Sequence, residues 1–82
     1  MLINTYKLSN ISISQFRVFL FDIGCSRISV EGGHEKWHKE GCLRPVIIQT
    51  HIDPIPEFIV KNNLRSLGLT RKDFIEWLKT KK

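Results

Sequence analysis

The chain has 82 residues, a mass of 9.6 kDa and a net charge of +5, with 41% hydrophobic and 26% charged residues. This balance excludes a disordered segment, and the length allows one small domain with a single core. No apolar run approaches the ~20 residues of a membrane span, and "MLINTYKLSN" lacks the basic and apolar blocks of a signal peptide. We therefore expect a single domain over residues 1–82, located in the cytoplasm.

The positive charge is concentrated in the last quarter of the chain. Residues 1–60 contain six Lys/Arg and six Asp/Glu, whereas residues 61–82 contain seven Lys/Arg and two Asp/Glu. A one-sided positive field suits nucleic acid or an acidic protein partner. A solvated helix with a basic end explains the same distribution, so the charge alone leaves both interpretations open.

The first helix is predicted within "SISQFRVFLFDIGC". Ser12 and Gln15 have the spacing of a capping box, and Ile13, Phe16 and Leu20 recur at helical intervals. Residues 1–10 are interpreted as an N-terminal extension.

Three antiparallel strands are predicted next. "SRISV" and "HEKWHK" alternate with a period of two around the reversal at Gly32 and Gly33. "RPVIIQTH" is rich in β-branched residues, with Pro45 confined to its start.

Two more helices complete the chain. One begins near Pro56 and ends near Gly68. The other, an additional C-terminal helix over 69–82, begins at a capping box formed by Thr70 and Asp73. The order α-β-β-β-α-α predicts an α+β fold in which helices cover one face of a three-stranded antiparallel sheet.

The second strand carries the candidate catalytic side chains. If Trp37 faces the helices, Glu35 shares its face, and His34, Lys36 and His38 point to the open side. His51, near the end of the third strand, is expected on the same side. Histidine exchanges a proton near neutral pH, and RNA carries its own nucleophile in the 2′-hydroxyl, so this face suits metal-free RNA cleavage. A solvated, non-catalytic histidine is the alternative.

A zinc site is the other alternative that the residue types allow. Cys25, His34, His38 and Cys42 form the pattern C-x8-H-x3-H-x3-C. On a strand, however, the two histidines would lie roughly 13 Å apart, which is too far for one ion. We expect no metal, and we interpret both cysteines as unpaired packing residues because the cytoplasm is reducing.

With the order of elements set beside "GGHEKW" and "IPEFIVKNNLRSLGLTRKDFIEWL", the sequence resembles the HicA family of small bacterial toxins over about residues 13–78. The family signature of a glycine, a small residue and a catalytic histidine falls on Gly32, Gly33 and His34. The resemblance implies a fold like the double-stranded-RNA-binding domain, cleavage of mRNA by a ribosome-independent endoribonuclease without a cofactor, and neutralisation by a HicB-type antitoxin. Two departures stand out: Gly-Gly-His replaces Gly-Ser-His, and Glu35 follows the histidine. A carboxylate there opposes phosphate binding unless the strand turns it away.

On this hypothesis the catalytic residues are His34, Lys36 and His51. His34 is a general base or its acid partner, Lys36 stabilises the charge of the phosphorane, and His51 is the second proton-transfer group, with His38 as its alternative. RNA-binding roles are expected for the following residues: Gly32, Gly33, Lys36, His38, Lys39, Lys61 and Arg65. The competing hypotheses are a non-catalytic double-stranded-RNA binder and a module that only binds an antitoxin.

Overall fold

The computed structural model describes residues 8–80. Its elements, in chain order, are α1 (Ile13–Asp22), β1 (Ser26–Glu31), β2 (His34–His38), β3 (Val46–Gln49), α2 (Glu57–Ser66) and α3 (Arg71–Thr80). The predicted order α-β-β-β-α-α is confirmed. The first seven residues of the predicted extension and the last two of the predicted C-terminal helix lie outside the described residues.

The three strands form an antiparallel sheet in the order β1-β2-β3. β1 and β2 are joined by Gly32 and Gly33, whose φ angles of 53° and 85° are both positive. Two central residues with positive φ define the two-residue hairpin turn that matches the twist of the flanking strands. Glu31 and His34 are therefore paired directly across the hairpin.

One irregularity interrupts this hairpin. Arg27 pairs with Trp37 and Ser29 pairs with Lys36, so Ile28 is the extra residue of a β-bulge. The alternating pattern of "SRISV" predicted a regular strand and did not reveal the bulge.

Two helices begin at the predicted side-chain caps. The Ser12 hydroxyl accepts a hydrogen bond from the backbone N–H of Gln15 at 3.0 Å. The Asp73 carboxylate accepts from the Thr70 N–H at 2.8 Å, and the Thr70 hydroxyl accepts from the Asp73 N–H at 3.2 Å. Each bond satisfies an N–H that the helix cannot pair internally.

The core lies between the helices and one face of the sheet. Its aromatic centre joins α1 to α3: the rings of Phe19 and Phe74 lie 4.7 Å apart and those of Phe19 and Trp77 lie 5.2 Å apart, both in edge-to-face arrangements. None of the helices within residues 8–80 combines the length and the hydropathy that a membrane-spanning helix requires.

The edge strand β3 is contacted by α2, and the segment before α1 packs against the rest of the domain. The Asn63 side-chain amide of α2 donates to the backbone carbonyl of Ile47 at 3.1 Å, which occupies an acceptor on the strand edge. Leu8 is buried, and Ile11 forms a β-bridge with Ile55. Of the ten residues interpreted as an extension, Leu8 thus belongs to the core.

Candidate active site on the open face of the sheet

The side chains of β2 alternate between the core and solvent. Glu35 and Trp37 are buried, whereas His34, Lys36 and His38 are exposed. The predicted orientation of this strand is therefore confirmed. Its cause is the two-residue period of the strand, which sends successive side chains to opposite faces of the sheet.

The neighbours of His34 on the open face come from both flanking strands. In the antiparallel register His34 is paired with Glu31 of β1 and with Gln49 of β3. Directly paired residues point to the same face. Lys36 lies two residues along β2, about 7 Å from His34 at 3.3 Å per residue.

His51 lies beside the turn that precedes His34. The backbone carbonyl of Gly33 accepts from both the N–H and the hydroxyl of Thr50, at 2.8 and 3.2 Å. This double contact anchors the chain after β3 to the hairpin turn. A Cβ placed on Gly33 would lie 3.4 Å from Nδ1 of His51. His34 and His51, both exposed, therefore occupy the same end of the sheet.

His38 occupies the opposite end of β2. It is paired with Ser26 and lies four residues from His34, which corresponds to about 13 Å along the strand. Of the two alternatives for a second proton-transfer group, His51 is the one that the fold brings to the His34 end. His38 is exposed on the open face farther along the sheet, whereas Lys39 follows the end of β2, is half-buried and lies near the buried Cys25 thiol.

Glu35, the carboxylate that follows His34 in sequence, is turned into the core. Its two oxygens accept from Arg17, at 3.1 Å from Nε and 2.7 Å from Nη2, and Oε1 also accepts from the Trp37 indole N–H at 2.8 Å. Nη1 of Arg27 lies 3.6 Å from Oε2 of Glu35. The hydrogen bonds from Arg17 are the main reason that the pKa of Glu35 lies below its ordinary value, and the pKa of Arg17 is raised in return. The strand thus turns Glu35 away from the open face, so its carboxylate does not oppose phosphate binding there.

A different carboxylate reaches the open face, and the sequence reasoning missed it. Glu31 is exposed and paired with His34 across the hairpin. The signal was available, because a two-residue turn at Gly32 and Gly33 makes the residues on either side of it cross-strand neighbours. A carboxylate beside a histidine can orient the ring by accepting its N–H.

Lys61 and Arg65, expected to bind RNA, are not beside His34. They lie on α2 and line a depression with Leu8, Leu69 and Arg71. Its described walls come from α2, the α2–α3 connection, the start of α3 and the segment before α1. Lys61 is also 4.0 Å from the Glu57 carboxylate one turn earlier.

The two cysteines pack as expected. Cys25 is buried in the core and Cys42 packs against it, and both are free thiols. Burial raises the pKa of the Cys25 thiol. Within residues 8–80, no group of three or more His, Cys, Asp or Glu side chains is placed to hold a metal ion.

The candidate site therefore consists of His34, His51 and Lys36 on an open sheet face, with the Glu31 carboxylate beside His34, and it is approached over a turn without side chains. Comparison of the chain with family models, with curated proteins and with solved structures gives no match.

Proposed function

We propose that this protein is a metal-independent endoribonuclease that cleaves mRNA, a toxin similar to the HicA family with a fold like the double-stranded-RNA-binding domain. On this proposal it acts in the cytoplasm and is neutralised by a HicB-type antitoxin protein. The observation that carries the proposal is the pair of exposed histidines, His34 and His51, on either side of Gly33.

The reaction needs two proton transfers, for which two imidazoles suffice. One histidine removes the proton from a ribose 2′-hydroxyl, and the 2′-oxygen then attacks the adjacent phosphorus. The bond from phosphorus to the 5′-oxygen breaks, and the other histidine gives that oxygen a proton. The products are a 2′,3′-cyclic phosphate and a 5′-hydroxyl. Lys36 supplies positive charge to the phosphorane, where negative charge develops.

Two features of the surroundings support phosphate binding at this place. Gly32 and Gly33 present only backbone at the approach to His34, so a sugar-phosphate chain can come close. Glu35, which follows His34 directly in the sequence, is 1% exposed and forms an ion pair with Arg17. Its charge is therefore directed away from the RNA.

The test measures mRNA cleavage by purified wild-type protein and by His34→Ala and His51→Ala, in a buffer with a metal chelator. Loss of one proton-transfer group typically lowers the rate by about 10²- to 10⁴-fold. We expect losses in this range for both variants. His38→Ala, from the same strand and face, should mainly weaken binding, and Lys72→Ala on the exposed surface of α3 should match the wild type.

Growth and mRNA integrity after controlled expression give the cellular readout. A folded His34→Ala protein that destroys mRNA as fast as the wild type would refute the assignment. Salt-dependent RNA binding without cleavage by the wild type would indicate the non-catalytic RNA binder instead. A stable complex with an antitoxin and no RNA loss would indicate the interaction module.

A further inference from the structure

A basic groove lies between the β2–β3 loop and the end of α2, outside the proposed catalytic site. Its main part has a volume of about 900 Å³ and is lined by Leu43 and Arg44 of the loop and by Asn62 and Arg65 of α2. A smaller depression of about 350 Å³ continues it, shares Arg65, and adds two cations, Lys61 and Arg71. We use the name basic groove for both parts together.

The described charged side chains that line the basic groove are all cationic, and one of them, Lys61, is 4.0 Å from the carboxylate of Glu57, which is not a lining residue. Four cationic side chains line it, and no Asp or Glu is among its described lining residues. The partial negative charge of the α2 C-terminus is weakened because its last carbonyls are already paired: Gly68 donates to the Arg65 carbonyl at 3.0 Å and Leu69 donates to the Leu64 carbonyl at 2.9 Å. The potential in the groove is therefore positive and attracts anions.

The donor set fits phosphates better than bases. Arginine binds a phosphate through two parallel N–H groups, and Asn62 and Ser66 add neutral donors. No aromatic ring is among the described lining residues, so the groove offers no platform for stacking nucleobases. Leu43, which is fully exposed, adds an apolar contact without base discrimination. These features describe a site for a sugar-phosphate backbone that is not selective for sequence.

The loop that forms one wall of the groove follows β2 in the chain. The exposed residues of β2 run from His34 to His38 over about 13 Å. Three residues after His38 the chain enters the loop that forms the groove wall, where the Cys42 N–H closes a turn onto the Lys39 carbonyl at 3.0 Å. An extended strand that leaves His34 along β2 is directed toward this loop.

We infer that the basic groove is a second binding site for the phosphate backbone of the RNA substrate, several nucleotides away from the cleaved bond. The choice of RNA as the ligand rests on the proposed function. Arg44 and Arg65 stand on two different elements of one open groove, which suits a long, continuous polyanion. The groove would thus favour long RNA over short RNA without contributing to the chemistry.

The experiment separates binding from cleavage by using fluorescein-labelled 2′-O-methyl RNA, whose blocked 2′-oxygen cannot attack. One oligonucleotide has about 6 nucleotides and the other about 20, and the longer one exceeds the site sizes of about 4 to 16 nucleotides that small single-strand-binding folds cover. Anisotropy is followed from about 50 to 200 mM salt. The variants are Arg44→Gln and Arg65→Gln, and the matched control is Lys72→Gln, which removes one positive charge from α3 outside the groove.

We expect each arginine variant to weaken binding of the long oligonucleotide about 3- to 10-fold relative to Lys72→Gln, and to lower the salt slope by about 0.7 per lost phosphate contact. Binding of the short oligonucleotide should match that of Lys72→Gln. Both arginines are exposed, so thermal unfolding of the variants should match the control.

Equal binding of the long oligonucleotide by the arginine variants and the control would overturn the inference, even if the wild type cleaves mRNA. An equal loss of affinity for the long and the short oligonucleotide in the arginine variants would also overturn it, because the groove would then not be distant from the cleaved bond. Tighter binding of poly-glutamate than of the long oligonucleotide in the groove would overturn the inference as well. The proposed function fails by a separate result, an unchanged cleavage rate in His34→Ala.

Discussion

Glu35 is the residue that connects the core of this protein to its candidate site. Among residues 8–80, it is the charged side chain that the fold buries, and three partners donate to it or face it: Arg17, Arg27 and Trp37. A slip of β2 by one residue would expose Glu35 to solvent and turn His34 into the core. The Arg17–Glu35 pair therefore helps to keep the histidine on the open face.

Loss of Arg17 and loss of Glu35 should lower the free energy of unfolding by different amounts. Arg17→Met leaves a buried carboxylate with only Arg27 and the Trp37 indole nearby, and we expect it to lower the free energy of unfolding by about 3 kcal/mol at neutral pH. Glu35→Gln leaves Arg17, whose side chain is 38% exposed and can turn to water, so we expect a loss of about 1 kcal/mol. Urea unfolding measures both values.

The double variant Arg17→Met/Glu35→Gln is the control for this asymmetry. It removes both charges, so it should be more stable than Arg17→Met alone. If Glu35→Gln proves the more damaging single change, the carboxylate is not the group that depends on its partner.

At the scale of elements, the β1–β2 hairpin sets the geometry of the site. Its turn needs positive φ at both Gly32 and Gly33, but only Gly33 faces other atoms. An added Cβ at Gly32 meets nothing within 4 Å, whereas one at Gly33 reaches the His51 ring at 3.4 Å. The two glycines therefore differ in their surroundings. Both allow the positive φ angles of the hairpin turn, but only Gly33 lies beside the His51 ring.

Asparagine substitutions distinguish these two glycines. Asn tolerates positive φ and is favoured at the first position of this turn, so Gly32→Asn should preserve stability or raise it by up to about 1 kcal/mol. Gly33→Asn adds a Cβ at contact distance from the exposed His51 ring, and its amide group must share the space beside that ring, so we expect a loss of stability of up to about 1 kcal/mol. Stability is read from urea unfolding, and the His51 environment from its ring proton resonances.

Only Gly33→Asn should move the His51 resonances and slow mRNA cleavage. Equal shifts in the two variants would mean that the turn as a whole, and not the contact at Gly33, positions His51.

The elements themselves were largely predictable because their signals are local. The Ser12 and Thr70 caps and the Gly32–Gly33 turn depend on neighbouring residues, and the exposure of His34 follows from the period of β2. The bulge at Ile28 was not predictable, because alternation in β1 does not reveal how the partner strand is paired.

Long-range contacts account for most of what the sequence could not supply. Arg17 and Glu35 are 18 residues apart, and the hydrogen bond from the Thr50 hydroxyl to the Gly33 carbonyl spans 17 residues. No periodicity or spacing predicts which side chains meet across such distances. The exposure of His34 therefore follows from local pattern, whereas the groove that includes Arg44 and Arg65 is formed only by the tertiary structure.

At the scale of the whole molecule, one core supports both the fold and the candidate site. The buried cluster includes residues from every helix, from β2 and β3, and from the segment before α1. The open face is the reverse side of the same strands, so the site has no supporting layer of its own. A domain of this size has little stability to spare, and changes in core electrostatics should alter the whole molecule.

The pH dependence of unfolding tests this coupling. The pKa of Glu35 is lowered in the folded state, chiefly by its hydrogen bonds to Arg17, while an unfolded glutamate titrates near 4.3. The stabilisation is therefore present above about pH 4.3 and is lost as the pH falls below it through the folded pKa. We expect the free energy of unfolding of the wild type to decline as the pH falls below about 4.3.

Glu35→Gln cannot lose this contribution, so its stability should fall less over the same interval. Asp73, whose pKa is lowered by the Thr70 N–H and hydroxyl, adds a decline that both proteins share. Glu76→Gln, an exposed glutamate of α3, is the matched control and should follow the wild type. Because Arg17→Met leaves the buried carboxylate in need of a proton, its deficit relative to the wild type should shrink as the pH falls. A deficit that stays constant from about pH 7 to 3 would show that Arg17 acts by packing and not by charge.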